Sequence, residues 1–176
     1  MNCIVASLAL FFGCLCGCNP SNPDPGKTGS LTHLLSYSVA YKAPGDDQDA
    51  TLIATLRNVS GKNVKVLVNN KKFHAAVTIT PETEDSYTAY TREFLDLLTT
   101  AIWEEPIVSM APKEAITWIV PIGTLFYSGD HKLDHDSLRG CKVVSEMNMA
   151  IVPPDGNYVE SNAAQKSAAI YIQNEE

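Results

Sequence analysis

From residue 31 onward, apolar side chains recur at every second position in short runs, and clusters of Gly, Pro, Asn, Asp and Ser separate the runs. A period of two marks strands that bury one face. The runs are rich in Val, Ile, Thr and Tyr, which suit a pleated, half-buried surface. They place strands at 34–42, 50–58, 64–68, 73–80, 107–110, 115–122, 141–152 and 168–173, about eight in all. Val64, Val66 and Val68 share one face. The following Asn69-Asn70-Lys71-Lys72 offers a turn, which predicts a hairpin with 73–80. Ile116, Trp118 and Val120 alternate and should point together into a core. Tyr87, Tyr90, Phe94, Leu97, Leu98 and Ala101 are spaced as on a helix, which predicts one short helix near 91–99 crossing between sheets.

Strands without a βαβ rhythm, broken by regular turns, predict an all-β domain of the sandwich type over 31–176. Two stretches carry a resemblance. Leu-Arg-Asn-Val-Ser-Gly-Lys-Asn-Val at 56–64 and Met-Ala-Pro-Lys-Glu-Ala-Ile-Thr-Trp at 110–118 resemble small immunoglobulin-like bacterial domains, with Lys113 and Ala115 where those domains carry Gly and Ser. The resemblance implies an immunoglobulin-like β-sandwich and leaves the activity open, because such folds host many functions.

The first thirty residues follow another pattern. Ile4 to Leu15 is a mostly apolar run, too short for the roughly twenty residues that span a bilayer but suited to a signal-peptide core. The n-region Met1-Asn2-Cys3 contains no Lys or Arg, so either the free amino group supplies the charge or the true start lies upstream. Leu15-Cys16-Gly17-Cys18 resembles the bacterial lipobox, which implies a signal peptide over 1–17 and lipid modification of Cys18. Cys14 is the rival acceptor, but Phe11 and Phe12 precede it where small residues are required. Residues 18–30 then read as a lipidated tether: Asn19 to Ser30 holds three prolines and two glycines and no large apolar residue. Extended, it reaches up to roughly 40 Å. The resemblance implies membrane attachment through Cys18 in the cell envelope. In a Gram-negative host the +2 residue Asn19 resembles those of lipoproteins sorted to the outer membrane.

Charge and cysteine usage narrow the classes further. All 13 Lys and Arg and all 20 Asp and Glu lie beyond Cys18, so the domain carries the whole net charge of −7 and repels nucleic acid. Four of the five cysteines fall in the first eighteen residues, leaving Cys141 alone in the body and no disulfide framework. Its place before Val143-Val144 predicts burial.

Chemistry-bearing residues are few. His131 and His135 stand four apart beside Asp130, Asp134 and Asp136, and on a helical turn they would share a face. His131, His135 and Asp134 are therefore the weak metal candidates, against an ordinary solvated loop. Asp46-Asp47-Gln48-Asp49 lacks the ligand spacing of an EF-hand and reads as a turn. No Gly-x-Ser-x-Gly elbow, phosphate loop or dinucleotide fingerprint occurs, and no cofactor or small-molecule substrate is indicated. The expectation is a non-catalytic, envelope-tethered binding module with an envelope protein as partner. The alternative is a proteinase-inhibitor-like or enzyme-accessory domain, for which the connection 82–105 would be the protruding loop.

Overall fold

A computed structural model describes residues 31–46, 48–99, 106–127, 131–152 and 160–173. The predicted signal peptide, Cys18 and the tether lie outside them. The chain opens with a 3₁₀ turn, Leu31–Leu34, and continues into β1 (Leu35–Lys42), β2 (Thr51–Asn58), β3 (Val64–Leu67), β4 (Ala76–Thr80) and β5 (Tyr87–Thr91). One α-helix, α1 (Arg92–Thr99), precedes β6 (Ile107–Met110), β7 (Ala115–Pro121), β8 (Leu125–Tyr127), β9 (His131–Lys132), β10 (Lys142–Val152), β11 (Glu160–Lys166) and β12 (Ile170–Tyr171). Two further 3₁₀ turns, Ile122–Thr124 and Asp136–Leu138, flank β8 and β9.

The described strands form two antiparallel sheets. One has three strands in the order β1-β2-β7, and the other nine, running β6-β3-β10-β4-β5-β8-β9 with β11 and β12 also on β10. The chain is therefore all-β, as the alternation predicts. In β1, β2 and β10 buried and accessible side chains alternate along most of the strand. Their buried members, among them Leu52, Ala54, Leu56, Val143, Met147 and Ile151, join one continuous core with Val64, Val66, Val77 and Ile79. Trp118 belongs to that core at 4% exposure, its indole N–H donating to the carbonyl of Asn69 at 2.9 Å and its ring edge-on to Phe73.

Three expectations are corrected. β3 and β4 do not pair as a hairpin; both lie along the same side of β10, β3 opposite Ala150–Val152 and β4 opposite Lys142–Glu146. They behave as one strand interrupted at 68–75, where the Asn69 side chain accepts from the amides of Lys71 and Lys72 and coils the chain outward. A two-residue period cannot tell an interrupted strand from a hairpin. The helix lies at Arg92–Thr99, but Tyr87 and Tyr90 belong to β5. Because β5 and β6 are in the same sheet, the helix joins strands within one sheet and does not cross between two. The strands among the described residues number twelve, the additions being β5, β8, β9 and β11.

The helix starts where it does because Thr91 caps it: its hydroxyl accepts from the Phe94 amide and donates to the carbonyl of Phe73. Phe94 is buried and stacks on His74, which pins the helix to the 68–75 excursion.

A second anchor is Asn58, wholly buried at the end of β2. Its side-chain nitrogen donates to the carbonyls of Lys62, Met110 and Ala111 at 2.8, 2.9 and 3.0 Å, and its oxygen accepts from the Ser60 amide and hydroxyl. The β2–β3 and β6–β7 turns are thereby tied together. In the second turn Lys113 has φ 69°, the left-handed region, and the Glu114 amide closes on the Ala111 carbonyl at 3.0 Å. Pro followed by a left-handed residue is the type II pattern that favours Gly at that position.

Two stability outcomes follow. Trp118→Ala should cost about 3–5 kcal/mol through lost burial and a cavity, whereas Ile119→Ala next to it, 71% exposed, should stay within about 0.5 kcal/mol; equal urea midpoints for the two variants would refute the assignment of faces. Lys113→Gly should raise stability by about 0.5–1 kcal/mol, relieving the left-handed strain by more than glycine adds to the unfolded chain's entropy, and a lowered melting temperature would contradict this.

Candidate functional site

The predicted histidine loop starts on an edge strand. His131 is exposed on β9 opposite Tyr127 of β8, and its ring meets Tyr127 at 5.9 Å between centroids; Tyr127 in turn meets Tyr87 of β5 at 4.9 Å. His135 precedes the Asp136–Leu138 turn, and its ring lies edge to edge with that of Tyr41 at the end of β1, nearly coplanar, with the Tyr41 hydroxyl hydrogen-bonded to its Nδ1. The two imidazoles thus face different tyrosines, and His131 is on a strand, not the helical turn that would align them. Asp134 is engaged as a turn former, its carboxylate accepting from the Ser137 amide at 2.7 Å. Among the described residues no group of three His, Cys, Asp or Glu side chains gathers where a metal ion could be held.

What the loop builds is two separate aromatic contacts, His131 with Tyr127 and through it Tyr87, and His135 with Tyr41. Burial raises the Tyr87 hydroxyl above its ordinary range, with Cys141, Tyr127, Asp134 and Glu84 adding to the effect. The Nε2 atom of His135 is buried and meets no hydrogen-bond partner among the described residues, a cost of about 1–3 kcal/mol for such an atom.

Cys141 is buried, as the sequence predicts, and is a free thiol. Burial pushes the thiol up, and Glu84 and Glu82 push it further. Its sulfur donates to the Ser137 carbonyl at 3.4 Å, so the thiol is engaged with backbone. The acidic turn after β1 closes through a Gly45–Gln48 bridge, with Lys42 donating to Gln48 at 2.6 Å; Asp47 lies outside the described residues. In the connection 82–105 the described part is occupied by β5 and α1, and 100–105 lies outside the described residues. Cys18 and Asp130 also lie outside them.

Sequence reasoning missed the polar network between the sheets. Tyr37 of β1 donates to the Ser145 hydroxyl of β10 at 2.8 Å, and Ser145 passes its own proton to the Ala76 carbonyl at 3.0 Å. The Ser167 hydroxyl accepts from the Ser145 amide at 3.0 Å and donates to the Ala168 carbonyl. A serine at an inward position of an otherwise apolar strand, Val143-Val144-Ser145, was the signal available.

Compared with known proteins, the chain matches no family model, no curated protein and no solved structure. Among the described residues no helix is long and apolar enough to cross a membrane.

The Tyr37 hydroxyl gives a pH signature. Burial pushes it up to about 12 from 10.0, partly offset by the Ser145 hydrogen bond. Because the folded value is the higher one, its contribution is fully present below pH 10 and is lost as pH rises toward about 12. The loss approaches about 2–3 kcal/mol at about 1.4 kcal/mol per unit. Tyr37→Phe should be slightly less stable at neutral pH, by about 1 kcal/mol, and its midpoint should fall less steeply in this alkaline window; an identical alkaline profile in chemical denaturation would exclude Tyr37 as the cause.

Proposed function

We propose that the chain is a lipid-anchored envelope protein whose immunoglobulin-like β-sandwich is a non-catalytic interaction module. The observation that carries the anchor is the sequence Leu15-Cys16-Gly17-Cys18 after a short apolar run. Acylation of the Cys18 thiol and cleavage before it would leave a Pro- and Gly-rich tether leading to Leu31. Two or more acyl chains, at about 0.8 kcal/mol per buried methylene, give stable attachment without an apolar patch on the domain. Asn19 in the +2 place supports the outer membrane as destination in a Gram-negative host.

Three observations support the immunoglobulin-like reading. The order β1-β2-β7 agrees with strands A, B and E of such a sandwich, and β3-β10-β11 with C, F and G. Lys113 is left-handed at the very position where the resembling domains carry Gly. The two resembling stretches also meet in space through Asn58 and the carbonyls of Met110 and Ala111. The binding role is read from the surroundings of the titratable groups among the described residues: the Cys141 thiol bonds to the Ser137 carbonyl, His135 bonds to Tyr41 and His131 lies against Tyr127.

Cells expressing the chain and fed an alkyne fatty acid should label the wild type, and Cys18→Ser should lose the label and remain uncleaved. A Cys18→Ser protein that still takes up label would overturn the anchor.

A further inference from the structure

We draw no further inference here: the strongest candidate, the outward face of the β1-β2-β7 sheet with exposed Lys42, Arg57 and Ile119, carries nothing because nothing in the structure shows what covers it.

Discussion

The architecture depends on β10. Its eleven residues serve as hydrogen-bonding partner to β3 and β4 on one side and to β11 and β12 on the other. Because side chains alternate across a strand, this one register decides which face of all four neighbours is buried. Val143, Met147, Met149 and Ile151 are therefore buried together, and a slip of one residue would turn all of them toward water. β11 shows the strength of this constraint. Its sequence, Glu-Ser-Asn-Ala-Ala-Gln-Lys, has little strand propensity, yet it is a strand because β10 offers it a ladder.

Polar groups in the interior act as spacers and fasteners. Ser145 interrupts the apolar face of β10, and the interruption is satisfied on every side by Tyr37, Ala76 and Ser167. The hydroxyl of Tyr37 crosses from one sheet to the other, so the bond fixes the relative position of the sheets where apolar packing alone would let them slide. Asn58 fastens two turns at the end of the domain in the same way. A buried amide with this many partners resists rearrangement, since any shift strands several donors and acceptors at once.

Much of the fold was legible because alternation is a local property. The faces of Val64, Val66, Trp118 and Val120 follow directly from the sequence, and so does the burial of Cys141. What was not legible is pairing. Asn69-Asn70-Lys71-Lys72 carries the composition of a hairpin turn, and only the presence of β10 along both flanking segments makes it an excursion from one line. Tyr87 and Tyr90 stand three apart, a spacing equally compatible with a helix and with a strand whose rings lie on opposite faces. The histidine loop was found from its residue types, but the Tyr41 ring that holds His135 comes from β1, far away in the chain, and the His131 neighbour Tyr127 meets Tyr87 of β5.

Asn58-Val59-Ser60 also has the form Asn-x-Ser, the acceptor tripeptide for N-linked sugar. In the folded domain its side-chain nitrogen is shared among three carbonyls and its oxygen is held by Ser60, so no part of the carboxamide faces a transferase. Attachment there requires a chain that has not yet closed this corner, and a sugar once attached would hold the β2–β3 and β6–β7 turns apart. In the folded domain the tripeptide is a structural corner and not an acceptor.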